Sequence, residues 1–222
     1  MSTSIGIGFS QNPSPALAAR EAATRAKLQT QQPTVDLALI FHTLHYQPSE
    51  VLGSVQEILG EAKIIGCTTA GIILSELIEM RGVAVLVVKS DDIHFGVGCV
   101  PEMGSQDLRQ VGGLLARKAI ADLGPVPRQG FVFFTDGLLK NNALIIKGLQ
   151  EVLGTVFSIV GAGSCDDFHF QKTYQYCQDR IMTDGACGLL QTVRVPLQTP
   201  LKHLSFCVQS SLSLQPMLSA KA

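Results

Sequence analysis

The stretch Gly66-Cys67-Thr68-Thr69-Ala70-Gly71 decides the fold, because it follows a short apolar run and has a counterpart later in the chain. The counterpart, Gly161-Ala162-Gly163-Ser164-Cys165-Asp166, also follows an apolar run. Each of the two is preceded by an apolar strand pattern and then a helical pattern, which ends in Glu57-Ile58-Leu59-Gly60 or in Glu151-Val152-Leu153-Gly154. We therefore predict an internal duplication in which a turn of small residues closes each unit.

The order of elements is the same in both halves of the sequence. Hydrophobic periodicity and capping residues predict strand, helix, strand, helix, strand and hairpin, twice. In the first half these elements fall at residues 4–9, 14–30, 37–41, 49–59, 62–65 and 82–100, and residues 72–79 fit a strand or a short helix. The second half has no separate range for the opening strand, and its remaining elements fall at residues 105–123, 131–135, 141–153 and 158–160, with the hairpin at 171–178 and 186–193 and one more strand at 201–210. Ser49 and Ser105 are the predicted N-caps of two of the helices.

This order predicts an α/β fold, with duplicated βαβαβ-hairpin units that form mixed, largely buried sheets flanked by helices. We expect one domain over residues 1–210, made of halves at about 1–100 and 101–195 plus a terminal strand. Residues 211–222 have no periodic pattern and are expected to form a disordered tail.

Composition excludes several classes of protein. Hydrophobic residues make up 46% of the chain and charged residues 16%, which argues against disorder. The longest apolar run, residues 83–88, is too short to span a membrane, and the N-terminus lacks the pattern of a signal peptide, so we expect a cytoplasmic protein. The net charge of −1 and the lack of a basic run argue against nucleic-acid binding.

No cofactor or metal is predicted. Neither residues 6–8 nor residues 161–163 complete a dinucleotide fingerprint, and a P-loop is missing. Asp166, Asp167 and His169 lack a second ligand group at a recognisable spacing. The six cysteines have no zinc or redox spacing, and in a cytosolic chain we expect them to stay reduced: Cys67, Cys99, Cys165, Cys177, Cys187 and Cys207.

Four loops follow predicted strands, at residues 42–46, 66–71, 135–137 and 161–168. Ligands of open α/β sheets bind outside the carboxyl ends of parallel strands, so a pseudo-two-fold axis between the halves would bring these loops to one cleft. The backbone of residues 66–71 suits a carboxylate or phosphate, although glycines also serve tight turns. Asp136 could pair with a ligand ammonium or cap its own turn. The predicted ligand-binding residues are His42, His45, Gly66, Cys67, Thr68, Thr69, Gly71, Asp136, Gly161, Gly163 and Ser164.

These motifs together resemble the N-terminal FIST domain, named for F-box and intracellular signal transduction proteins, over roughly residues 5–191. The stretch at 66–71 in its strand-turn context is the most specific part of the match. The resemblance implies a sensory module that binds a small ligand such as an amino acid, and that is usually followed by a C-terminal partner domain. Two departures are evident: the chain stops soon after residue 210, and the second turn reads Gly-Ala-Gly-Ser-Cys-Asp where the family more often has Gly-Gly-x-Ala-Gly-Asp.

Three functions follow from these observations. The first is a non-enzymatic sensory module that binds a small polar ligand and meets a signalling protein, a FIST C-terminal domain or another copy of itself. The second is a hydrolase that uses Cys67 as the nucleophile, or acid/base chemistry, with His42 or His45 as the base. The third is a scaffolding domain without a ligand.

Overall fold

The computed structural model describes residues 3–192, and it confirms the α/β fold. The first half contains β1 (Thr3–Ser10), α1 (Pro15–Thr30), β2 (Leu37–His42), α2 (Pro48–Leu59), β3 (Lys63–Thr68), β4 (Ile72–Leu74), β5 (Leu77–Glu79) and β6 (Val83–Ser90). The second half contains β7 (Phe95–Pro101), α3 (Leu108–Leu123), β8 (Gly130–Asp136), α4 (Ala143–Leu153), β9 (Ser158–Ser164), β10 (Gln175–Cys177), β11 (Arg180–Met182) and β12 (Gly185–Gln191).

The two halves share one sheet topology. The first sheet has the order β1-β6-β2-β3-β10-β11 and the second has the order β7-β12-β8-β9. In both, the two long antiparallel pairs precede one parallel pair, β2 with β3 or β8 with β9. The sheets differ at one edge, because the β10–β11 hairpin leaves its own half and pairs with β3 of the first half.

The sheets pack face to face, and a helical layer covers the outer face of each. One core cluster lies between α1, α2 and the first sheet, and another lies between α3, α4 and the second sheet. The central cluster combines side chains of both sheets, among them Leu39, Ile65, Phe134 and Leu189. Strands buried on both faces explain the continuous apolar runs in the sequence.

The register across each sheet identifies equivalent residues. One row of the first sheet runs Gly8, Val85, Ile40 and Gly66. The matching row of the second sheet runs Gly98, Gly188, Phe133 and Gly161. Gly66 and Gly161 therefore occupy equivalent places, which agrees with the alignment of the two small-residue turns in the sequence.

Both predicted long hairpins are wrong. Residues 82–89 and 93–100 do not pair with each other, because β6 lies between β1 and β2 while β7 joins the second sheet. Residues 171–178 and 186–193 also separate, since β10 pairs with β3 and β11 while β12 lies between β7 and β8. The turn signals are real, but long-range strand partners decide the pairing, and the local pattern does not reveal them.

Smaller differences concern helix starts and the ambiguous segment. Residues 72–79 form the β4–β5 hairpin. Gln47, not Ser49, is the N-cap of α2, since Pro48 takes the first helical position. Asp107, not Ser105, caps α3, and its carboxylate accepts from the backbone N–H of Arg109 and Gln110. The predicted strand at 201–210 and the tail at 211–222 lie outside the described residues.

Cys99 and Cys177 form a disulfide, so the prediction that all six cysteines stay reduced is wrong for this pair. Cys99 lies on β7 and Cys177 on β10, so the bond crosses from one sheet to the other. The two residues are separated by 78 positions, and no spacing rule in the sequence indicates their contact. Cys67 and Cys187 are buried thiols.

Among residues 3–192, no helix has the length and hydropathy needed to cross a membrane.

Candidate functional site

Backbone hydrogen bonds join the ends of the parallel strands. The N–H of Thr69 donates to the carbonyl of His42 at 2.9 Å, and the N–H of Cys165 donates to the carbonyl of Thr68 at 3.0 Å. The hydroxyl of Ser164 donates to the carbonyl of Thr135 at 2.8 Å. The four predicted loops, at residues 42–46, 66–71, 135–137 and 161–168, therefore meet at one place. We call this place the rim, and we include residues 138–142, which continue the third loop to the start of α4.

A buried polar network lies behind the rim. The Asp136 carboxylate accepts from the Thr173 hydroxyl at 2.7 Å and from the backbone N–H of Leu138 at 3.0 Å. The Gln175 amide donates to the Ser164 hydroxyl at 2.6 Å and to the Thr173 hydroxyl at 2.8 Å. Asp136, Ser164, Thr173 and Gln175 are all buried, and the network fixes the strand ends relative to one another. Sequence reasoning missed Thr173 and Gln175, whose only signal is polarity within a short strand region.

His42 is fully buried, and its ring faces the helical layer beside Tyr176. Its Nδ1 lies 2.8 Å from the carbonyl of Thr43, so Nδ1 carries the proton and Nε2 accepts from the Tyr176 hydroxyl. Burial lowers the pKa of His42 to about 4, against the smaller upward effect of the Thr43 hydrogen bond. The imidazole is therefore neutral at pH 7. His45, by contrast, is exposed, with Nδ1 3.1 Å from the Thr43 hydroxyl.

The neutral state of His42 predicts acid sensitivity. Its pKa is depressed from 6.5 to about 4 on folding, so the unfolded chain binds more protons between these values. Stability is complete above pH 6.5 and falls as the pH drops towards 4, by about 3 kcal/mol at most. Urea titrations at several pH values measure this loss. The variant His42→Gln should show a flatter profile between pH 6.5 and 4, and His45→Gln should keep the wild-type slope. Equal slopes in all three proteins would contradict the assignment.

Cys67 is not placed to act as a nucleophile with His42. Its side chain lies in the core between the sheets, while His42 lies on the opposite face of the first sheet with Tyr176. Burial raises the pKa of the Cys67 thiol well above its ordinary value, and Cys187 and Cys165 raise it further. The side chain is a protonated thiol without a base, so this geometry does not support the hydrolase hypothesis.

The predicted site residues divide by exposure. Those that the structure buries are His42, Gly66, Cys67, Thr68, Asp136 and Ser164. Those that solvent reaches are His45, Thr69, Gly71, Gly161 and Gly163. The solvent-accessible residues thus form the surface of the rim, and the buried residues pack beneath them.

Asn142 is a rim residue that sequence reasoning missed. It precedes α4, and its Nδ2 donates to the carbonyl of Asp136 at 3.5 Å. Its Oδ1 is shielded from solvent and has no hydrogen-bond partner among the described residues. A Cβ atom placed on exposed Gly163 would be 3.9 Å from the Asn142 amide, so this side chain borders the second glycine-rich turn. The same Cβ would be only 2.8 Å from the Cα of Gly137, so the two glycine turns pack closely beside this amide. An unpartnered acceptor at this place suits a ligand that donates a hydrogen bond.

Asp166 organises its own loop. Burial raises the pKa of its carboxyl, but the backbone N–H groups of Gln171, Lys172 and Phe170, together with His169, outweigh burial, so the net shift is downward. The three N–H groups lie 2.6 to 3.0 Å from its oxygens. No cluster of three or more His, Cys, Asp or Glu side chains in residues 3–192 has an arrangement that would hold a metal ion.

Two surface cavities lie on the helical layers. One of about 400 Å³ is bordered by α1 and α2, including Lys27, Leu28 and Glu57. The other, of about 660 Å³, is bordered by α3 and α4, including Arg109, Arg117 and Glu151. Their positions are separate from the rim.

Comparison with known proteins identifies a family and several similar solved structures. The family described as FIST N domain matches residues 36–205. Among solved structures, the chain is similar to a cyanuric acid hydrolase from A. caulinodans, with 10% identity, a TM-score of 0.45, and coverage of 87% of this chain and 72% of that one. No curated protein gives a significant match.

Proposed function

The chain belongs to the FIST N domain family, a sensory and signalling type of domain, and from this we propose that it binds a small polar ligand at the rim. The observation that carries the proposal is the hydrogen bond from Cys165 to Thr68, which joins the strand ends of the two halves. Strand ends at such a junction are the usual ligand sites of α/β sheets. The matching topology of the halves supports our view that they arose by duplication.

The chemistry of the rim favours a ligand with both donors and acceptors, such as an amino acid. The unpartnered Oδ1 of Asn142 would accept from a ligand ammonium or amide. The N–H of half-exposed Ala70 and the exposed His45 would meet a carboxylate or another polar group, because the N–H groups of Thr69 and Gly71 already donate within the chain. In this proposal, ligand binding orders the rim and is read by a signalling protein or a FIST C-terminal domain in the cytoplasm.

A thermal-shift screen against the twenty amino acids and common polar metabolites tests this function. A ligand that binds only the folded state stabilises it by about 2.7 kcal/mol at a hundred times its Kd. The variant Asn142→Ala should lose most of this thermal shift, because it removes the proposed acceptor for the ligand. The helix should stay intact, because Asn142 makes no side-chain cap of α4. The control is Asn141→Gly, because Asn141 is exposed and has a φ of 67° that glycine adopts readily.

Two results would contradict the proposal. The first is that no compound raises the melting temperature of the wild-type protein. The second is an equal shift in wild type, Asn142→Ala and His45→Ala, which would place the ligand elsewhere.

A further inference from the structure

The outer edges of β3 and β9 are equivalent, but only one of them is covered. In the first sheet, β10 pairs with β3 and places Tyr176 opposite Gly66. In the second sheet, β9 is the last strand, so the edge next to Gly161 has no partner strand among the described residues. An edge with unpaired N–H and C=O groups is a template for strand addition.

The β4–β5 hairpin is the equivalent of the hairpin that covers β3. Both hairpins have strands of three residues joined by a two-residue turn, Ser75-Glu76 in one and Gln178-Asp179 in the other. Both follow the third long strand of their half and precede the fourth, β6 or β12. Yet β4–β5 forms a sheet of its own and pairs with no other strand that the structure describes.

Side chains of the unpaired hairpin and the uncovered edge are more exposed than their equivalents in the paired hairpin and the covered edge. On the hairpins, Ile73 is 46% exposed and its equivalent Tyr176 is 0% exposed. On the edge strands, Val160 is 49% exposed and its equivalent Ile65 is 0% exposed.

The helices beside the two edges also differ in the exposure of equivalent apolar residues. Aligning the matched ends Glu57-Ile58-Leu59-Gly60 and Glu151-Val152-Leu153-Gly154 makes Ile146 of α4 the equivalent of Leu52 of α2. Ile146 is 39% exposed and Leu52 is 4% exposed. Apolar residues are thus exposed on both the uncovered edge and the unpaired hairpin, where docking of the one on the other would bury them.

We propose that the β4–β5 hairpin of one copy of this chain pairs with the β9 edge of a second copy. The contact continues an interface that the chain already makes within itself, between β10–β11 and β3. Each copy offers one hairpin and one edge, so the copies join head to tail. Ile73 and Ile78 then pack beside Ile146 of α4, as Tyr176 and Ile181 pack against the helical layer of the first half. Leu74 lies beside Val160 on the opposite face, as Cys177 lies beside Ile65.

The internal interface also gives the register. Gln175 lies opposite Cys67, Tyr176 opposite Gly66 and Cys177 opposite Ile65. Transferred to the second site, Ile72 lies opposite Ala162, Ile73 opposite Gly161 and Leu74 opposite Val160. In this interface the Thr68 N–H donates to the carbonyl of Tyr174, and the Gln178 N–H donates to the carbonyl of Ile64. Hydrogen-bonded and non-hydrogen-bonded pairs alternate along an antiparallel ladder, so Cys177 and Ile65 form a non-hydrogen-bonded pair. The Cα atoms of such a pair are about 4.5 Å apart.

Oxidative cross-linking tests this register. A Leu74→Cys, Val160→Cys double variant, in a Cys165→Ser background, should form covalent dimers or larger species on a non-reducing gel. The control, Leu74→Cys with Ser158→Cys, moves one thiol two residues along the same face, where Cα atoms are about 7–8 Å apart. It should cross-link at least ten times less. Equal cross-linking in both, or a bond formed only within one chain, would overturn the proposal.

Sedimentation velocity tests the assembly without new thiols. Wild-type protein at tens of micromolar should sediment as a dimer or larger species. Ile78→Glu and Val160→Lys should sediment as monomers with unchanged far-UV circular dichroism, because both residues are exposed in one copy. Leu28→Glu, at an exposed residue of α1, should leave the assembly intact. A wild-type protein that is monomeric at every concentration overturns the proposal. The β9 edge would then be left for residues 193–222 or for another protein.

Discussion

Replacing Gly66 by alanine is expected to lower the free energy of unfolding by roughly 3 kcal/mol or more, enough to remove most soluble protein. A Cβ atom at this position would lie 1.9 Å from the carbonyl oxygen of Ile40 and 2.8 Å from its carbonyl carbon. Both are backbone atoms in the middle of the parallel β2–β3 pair, so neither can move without breaking the sheet. Urea unfolding monitored by circular dichroism measures the loss.

Two other glycines are matched controls for this prediction. Gly53 lies inside α2, and a Cβ there would meet nothing within 4 Å. Gly53→Ala should therefore be neutral or stabilising by up to about 1 kcal/mol. Gly161→Ala should have an intermediate effect, because its Cβ would meet the Phe133 ring, a side chain that can rotate. If Gly66→Ala were as stable as wild type, the register of β2 and β3 would be wrong.

Loss of the disulfide is the second large effect. Replacing both Cys99 and Cys177 by alanine should lower the free energy of unfolding by about 4 kcal/mol, since the bond closes a loop of 78 residues. The reason is that the unfolded chain gains conformational freedom when the cross-link is absent. Cys165→Ala, which leaves the disulfide in place, should change stability by less than about 1 kcal/mol.

Thiol counting provides a direct measurement of the bond. Denatured, non-reduced protein should show two fewer reactive thiols than the same protein after reduction. Dithiothreitol should lower the stability of wild type and leave the Cys99→Ala, Cys177→Ala variant unaffected. An equal thiol count before and after reduction would show that all cysteines are reduced.

Local patterns in the sequence were enough to predict the helices, the parallel strands and the family. The alanine-rich α1 and the apolar runs of β2 and β8 each have one strongly favoured structure, and the family match at residues 36–205 confirms the resemblance. The equivalence of Gly66 and Gly161 is also visible in the sequence, because both follow the same strand pattern.

Apart from the two helix caps and Asn142, the features that the sequence did not reveal depend on contacts between distant residues. Cys99 meets Cys177, 78 residues away, where β10 of the β10–β11 hairpin has crossed to pair with β3 of the first half. The burial of His42 has the same origin, since Tyr176 of that hairpin covers it. A residue that follows an apolar strand looks solvent-accessible in the sequence, and only the crossing hairpin shows that this histidine is not.

The crossing of β10 to β3 has a consequence for biosynthesis. Emerging from the ribosome, β1, α1, β2, α2, β3 and β6 can assemble early, but the strand that covers the edge of β3 spans Gln175–Cys177 and is made much later. Until then the nascent first half carries an open edge, which is the condition that invites misassembly and chaperone binding. A chain that terminates before Gln175 would keep that edge permanently, so premature termination should yield an aggregation-prone fragment rather than an independent half.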